Sequence, residues 1–276
     1  MRRALLYLGF LSILTAIFLL HNHSISAQQP TSRGIGLIVI GAALGVTSTL
    51  LQGFYGNQIA DPGLMGIATG AALGSVVAIK LGNTFGSRTG ILFSVLFAFI
   101  AYYLFDWAKS KFVTTGVLLT LILSTPILLL AKNSNHDGLF WILGSFHELN
   151  KVHVKTFAPF VEVGIITSFF IARKIVSKTR LVKFFVATGT AFLIGPFVNV
   201  TGAIIGFGIF IPHITRLFIK GDTRRVISYS ALTSPSILLI LDILINKMNE
   251  ISVTLIALLL TLVLSRFCKQ ESNRQS

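Results

Sequence analysis

The chain has 276 residues, of which 53% are hydrophobic and 12% charged, and its mean hydropathy is +0.81. A soluble domain carries about 25% charged residues, so this composition excludes a soluble enzyme and predicts an all-α polytopic membrane protein. The net charge of +14 would suggest nucleic acid in a soluble chain; here Lys and Arg lie mostly in short links between apolar runs, where they orient spans, and no nucleic-acid partner is expected.

A helix needs about 20 apolar residues to cross a bilayer. The first run, residues 4–21, follows Arg2-Arg3 and precedes Ser24-Ile25-Ser26-Ala27. It reads as a retained first span or, alternatively, as part of a signal peptide over residues 1–28; its length favours the span. Further spans are predicted at 34–53, 63–80, 89–107, 113–131, 157–173, 183–200, 202–219, 226–245 and 250–267, ten in all. The seventh and eighth are joined by a very tight turn near Asn199–Gly202, and Gly195-Pro196 is expected to kink the seventh. Nothing interrupts the spans, so residues 1–276 are expected to form one transmembrane domain. The lone Cys268, after the last run, rules out an intramolecular disulfide and a cysteine-only metal site.

Ten spans put both termini on one side. With that side cytoplasmic, Arg2, Arg3, Lys109, Lys111, Arg216, Lys220, Arg224, Arg225 and the run Arg173–Lys183 lie inside. Arg33, Lys80, Arg88, Lys132, Lys151, Lys155 and Lys247 lie outside, a smaller set, as the positive-inside rule requires. The longest interior polar stretch, Lys132–Thr156, is then external and carries Phe140–Phe146, an aromatic cluster suited to the headgroup zone. No glycine-rich phosphate loop is present, so any ATP hydrolysis belongs to another subunit.

The segment Gln52–Gly74 departs most from ordinary span chemistry. Asp61-Pro62-Gly63 breaks the backbone, with Asp61 placed to cap the helix that follows and Pro62 at its first position. Gly66, Gly70 and Gly74 then recur every fourth residue and give a smooth face for close helix packing. Three more segments stand out: Trp141 with Gly144-Ser145; Gly202–Arg216, which includes Pro212 and His213; and Gly221-Asp222-Thr223-Arg224, followed at a distance by Asp242.

In this order and spacing the four segments resemble the FecCD-like permease family of type II ABC importers for iron–siderophores, haem and vitamin B12. Gln52, Asn57, Ala60, Asp61, Pro62, Gly66, Gly70 and Ala71 match the first family pattern; Trp141, Gly144 and Ser145 the second. Gly202, Ile204, Gly208, Pro212, His213 and Arg216 match the third, Gly221, Asp222 and Arg224 the fourth, and Asp242 a final element. Gln58 stands where the family has proline, and the first outer loop, 22–33, is short. The link Arg173–Lys183 lacks the family's ATPase-docking element, and the tenth span lacks a closing G-x-P-F pattern.

The resemblance implies the membrane-spanning subunit of an importer for an iron chelate or a related metal chelate such as cobalamin. It implies a multi-pass protein of the cytoplasmic (inner) membrane that binds no cofactor and catalyses no bond chemistry. The implied partners are a separate ABC ATPase, a periplasmic or lipoprotein substrate-binding protein and a second copy of the chain, with the pathway at the dimer interface. By position, Arg173, Lys174, Lys178, Arg180 and Lys183 are candidate ATPase contacts, or else a basic anchor at the membrane surface. Arg33, Lys80 and Lys247 are candidate binding-protein contacts, or else snorkelling anchors. Asn57, Asp61, Pro62, Gly66, Gly70, Pro212, His213, Arg216, Asp222 and Arg224 are structural or gating positions. The short 173–183 link leaves a second reading open, a degenerate pseudo-permease or scaffold that has lost ATPase coupling. A third, a proton-coupled carrier, would rest on Glu162, the acidic residue best placed to face a cavity.

Overall fold

The computed structural model describes residues 30–108, 111–132, 137–145, 149, 154–172, 174–219 and 223–247. The predicted spans 4–21 and 250–267, the alternative signal segment and Cys268 lie outside the described residues. Helices α1 (Pro30–Tyr55), α2 (Ile67–Lys80), α3 (Arg88–Ala108) and α4 (Phe112–Ala131) come first. A short helix α5 (Gly138–Leu143) precedes α6 (Val154–Ile171). After a 3₁₀ turn at Ile175–Ser177 come α7 (Arg180–Thr201), α8 (Phe207–Phe218) and α9 (Thr223–Lys247). Four stretches, Arg33–Tyr55, Arg88–Ala108, Phe112–Ala131 and Arg180–Thr201, are long and apolar enough to cross a membrane. Among the described residues there is no strand, as a chain without water to satisfy an open sheet edge demands.

Helix α1 is the hub and packs against α6, α7, α8 and α9. In lipid there is no hydrophobic drive between helices, so small residues that let backbones touch hold such a bundle together. Gly41 and Gly45 supply that face on α1. A Cβ on Gly41 would stand 2.6 Å from the Pro235 Cα, and one on Gly45 would run into the Ser230 carbonyl, so α1 and α9 meet backbone to backbone. Gly70 and Gly74 do the same for α2 on α3: a Cβ on Gly70 would stand 2.5 Å from Ala101 Cβ, and one on Gly74 would strike the Phe93 carbonyl. Polar ties add to these contacts. The Asn199 amide on α7 donates to Ser75 Oγ on α2 (3.0 Å), Ser75 touches Ser94 on α3, and Ser94 Oγ donates to the Ala71 carbonyl (2.9 Å). Between α8 and α9, the hydroxyls of Thr215 and Thr233 pair at 3.0 Å, and Ser230 Oγ donates to Thr215 Oγ1 (3.2 Å).

Two predicted spans begin later than their apolar runs. Helix α2 starts at Ile67 rather than 63, because the 61–66 backbone is spent in turns, with Met65 N bonded to Asp61 O (2.9 Å) and Ile67 N to Pro62 O (2.9 Å). Helix α8 starts at Phe207 rather than 202, because the preceding segment pairs with the end of α5: Ala203 N donates to Trp141 O (2.9 Å) and Ser145 N to Thr201 O (2.6 Å). Gly66 (φ 75°) and Gly206 (φ 84°) make the two late starts, both in the left-handed region that glycine enters without steric cost. Helix α7 continues through Pro196 to Thr201. Trp141 is 1% exposed and packs on Phe85 and Phe140, so it is a core residue rather than a headgroup anchor.

Candidate functional site

Three of the four segments singled out in the sequence meet one another in space. Asp61, 1% exposed, lies between the turn that precedes α2 and the N-terminus of α8. Its Oδ2 accepts N–H bonds from Gly63 (2.9 Å), Leu64 (3.2 Å) and, across the bundle, Gly206 (3.3 Å). Ser48 Oγ donates to Oδ1 at 3.4 Å. The donors at 63 and 64 belong to the turn before α2, while Gly206 is the N-cap of α8, where free N–H groups and the helix dipole favour a carboxylate. Gly208 lies against the carboxylate and the Ser48 hydroxyl so closely that a Cβ would overlap both. One turn further along α1, Gln52 Oε1 accepts from Arg216 Nη1 of α8 at 2.7 Å. Thus the first and third motifs form one packed unit, to which Trp141, Gly144 and Ser145 are joined through the 201–203 backbone.

Other predicted residues fall around this unit. Asn57 closes the turn after α1, its Oδ1 accepting from Ile59 N (3.1 Å). Pro212 is buried and His213 half-buried on α8. Arg224 lies on α9, and Arg173 and Asp222 lie outside the described residues. At the end of the bundle expected to face outward, Arg33 is held by Asp242 in a two-pronged ion pair. Nη2 stands 2.6 Å from Oδ1 and Nε 3.2 Å from Oδ2, joining α1 to α9. Lys80 is exposed, with Nζ donating to the Lys132 carbonyl (3.3 Å), and Lys247 lies on α9.

At the end expected to face inward, Lys174, Lys178 and Arg180 are exposed around the 3₁₀ turn, while Ile175 is buried beneath them. Lys178 takes a left-handed φ of 47°, and Thr179 caps α7 by accepting from Val182 N (3.4 Å). Lys183 differs from its neighbours. It turns into the bundle, pairs with the buried Asp106 and lies 5.5 Å from the centre of the Tyr103 ring. Glu162 is exposed on α6, beside the exposed Val163 and Ile166. Sequence reasoning did not find the ion pairs of Arg33 and Lys183 or the Asn199–Ser75–Ser94 tie. The acids and bases were visible, but their pairing spans up to 209 residues of chain and leaves no local signature.

Helix α4 is the least covered by the rest of the chain: 11% of its apolar window is buried, against 78% for α1. Its exposed stripe carries Thr114 and Thr125 among Val117, Leu118, Leu121 and Leu129.

A profile of the FecCD transport family matches residues 7–267. The iron-uptake system permease protein FeuB of Bacillus subtilis is 24% identical over 254 residues, spanning 83% of this chain and 75% of FeuB. The vitamin B12 import system permease protein BtuC of Yersinia enterocolitica is 26% identical over 243 residues, spanning 78% of this chain and 72% of BtuC. A solved structure of a transporter assigned to the metal-chelate ABC type, in an inward-facing conformation, superposes with a TM-score of 0.74 at 20% identity, covering 95% of this chain and 98% of that one. The structural match shows that this chain shares that transporter's fold, and the profile match shows the family. The chain belongs to the FecCD transport family.

Proposed function

We propose that this chain is the membrane-spanning subunit of an ABC importer that carries a metal chelate, an iron–siderophore or haem or the related cobalamin, across the cytoplasmic membrane. The observation that carries the reading is the family match over 7–267, together with the packing of the first three motifs into one unit around Asp61 and Gln52. Both termini are cytoplasmic, as the excess of Lys and Arg in the inner links indicates. The whole chain is one permease domain, and ATP is hydrolysed by a separate subunit. Two copies enclose the pathway between them. The uncovered face of α4, with Thr114 and Thr125 set among apolar residues, supports this helix as part of the wall that a second copy completes.

On the inner side, Lys174, Lys178 and Arg180 form the exposed surface for the ATPase, while Lys183 holds the loop to the bundle. On the outer side, Lys80 and Lys247 are the cations offered to a substrate-binding protein, and Arg33 is engaged by Asp242. Transport then follows alternating access, in which ATP binding and release bias a two-state helix arrangement through the inner loop.

Affinity purification of the tagged chain from its native membranes tests this reading. The expected result is a complex with two copies of the chain and an ABC ATPase, which is lost in the triple variant Lys174→Glu, Lys178→Glu, Arg180→Glu. A folded chain that never retains an ATPase would instead support the pseudo-permease reading.

A further inference from the structure

Lys183 lies in the basic run that meets the ATPase by position, yet unlike the exposed Lys174, Lys178 and Arg180 it is half-buried. It pairs with Asp106, whose side chain is 6% exposed, at the end of α3. The same carboxylate accepts a bond from the Tyr55 hydroxyl at 3.2 Å, from the last residue of α1. The Tyr55 ring packs edge-on against Phe105 of α3 (5.9 Å between centroids) and Phe112, the first residue of α4 (5.6 Å). Phe105 and Phe112 close the triangle at 4.9 Å. Lys183 is also held over Tyr103, a cation–π contact that fixes its direction. The inner ends of α1, α3, α4 and α7 are therefore joined through one buried carboxylate and one aromatic cluster.

We infer that Lys183, Asp106 and Tyr55 are positioning residues that couple the 174–180 loop to the turn at 56–60 and to the start of α4; the inference deepens the transport reading above. Three observations carry it. The loop between α6 and α7 holds only the 3₁₀ turn, so a displacement has no independent docking helix to absorb it and passes to the first turn of α7. Lys183 lies in that first turn. Lys183 and Asp106 attract each other in direct contact beside buried aromatic rings, so a shift of Lys183 acts on Asp106. Asp106 in turn holds Tyr55, which immediately precedes the Gly56–Ala60 turn leading to Asp61. The link thus runs from the ATPase-facing surface to both the motif unit around Asp61 and the uncovered helix α4.

Hydrogen exchange on the purified full-length chain in nanodiscs, read on peptides spanning 56–60 and 112–116, tests the link without an ATPase or a ligand. Lys183→Met and Tyr55→Phe are each expected to speed exchange in both peptides by about tenfold. The double variant is expected to do no more than either single change, since both cut the same chain. Lys183→Arg, which keeps charge and ring contact, restores wild-type exchange, and Lys178→Met, on the exposed side of the loop, leaves it unchanged. Tyr55→Phe removes one hydroxyl and carries the test alone if Lys183→Met does not fold. Unchanged exchange in a folded Tyr55→Phe protein, or single effects that multiply in the double variant, would overturn the inference. A chain that shows the coupling but retains no ATPase would sink the transport reading and leave the link standing.

Discussion

A carboxylate inside an apolar bundle persists only where donors replace the water it has lost. Asp61 meets that condition with three backbone N–H groups and one hydroxyl, gathered from α1, its own turn and the start of α8. Asp61→Ala would strip these buried donors of their acceptor at about 1–3 kcal/mol each. The expected loss is ~3 kcal/mol or more, read as a collapse of the monodisperse peak in a thermal melt followed by size exclusion. Asp61→Asn, which keeps an accepting oxygen, should fall between the two. An Ala variant as stable as wild type would show that the bonds to Gly63, Leu64 and Gly206 hold nothing together. The backbone break at Asp61 is legible in the sequence, because Asp-Pro-Gly is a local signal, but Asp61 does not cap α2: its carboxylate takes the N–H groups of Gly63 and Leu64 in the preceding turn, and the helix starts only after Gly66, without a side-chain cap. The bond between Asp61 and Gly206 was not legible, since 145 residues separate the partners. The same holds for Arg33. Its charge and external position suggested a surface contact, whereas Asp242 already neutralises it.

At the scale of elements, apolar run length located every described span, but helix ends followed backbone bonding instead. Helices α2 and α8 are shorter than their runs because a turn and an extended segment, each ending in a left-handed glycine, satisfy the missing backbone groups. Spacing also showed the Gly70–Gly74 face, which packs on α3. The equivalent pair on α1, Gly41 and Gly45, carries no break or motif to mark it in the sequence, yet it sets the approach of α1 to α9. Gly45→Val places a branched side chain where the Ser230 carbonyl stands. We predict a loss of about 3 kcal/mol in unfolding by titration with a denaturing detergent. Leu121→Val, on the exposed stripe of α4, should change stability by no more than about 0.5 kcal/mol. Equal effects at both positions would mean that the α1–α9 crossing is not tightly packed.

At the scale of the whole molecule, ion pairs among the described residues tie distant helices at both ends of the bundle. Arg33–Asp242 joins α1 to α9 at the end expected to face outward, and Lys183–Asp106 joins α7 to α3 at the end expected to face inward, where Tyr55 of α1 bonds the same carboxylate. Helix α1 contributes Arg33 to the first pair and the Tyr55 hydroxyl to the second, and it also carries Ser48 and Gln52 of the motif unit. On the proposed reading, a permease built this way moves cargo by rearranging helices under the control of a separate ATPase. The most direct measurement is uptake into proteoliposomes that hold the complex purified from native membranes, supplied with its binding protein and with radio-iron siderophores, radio-iron haem or labelled cobalamin. The account predicts that one of these accumulates with ATP and none with a non-hydrolysable analogue. Accumulation that is indifferent to ATP, or driven instead by a proton gradient and abolished by Glu162→Gln, would contradict it.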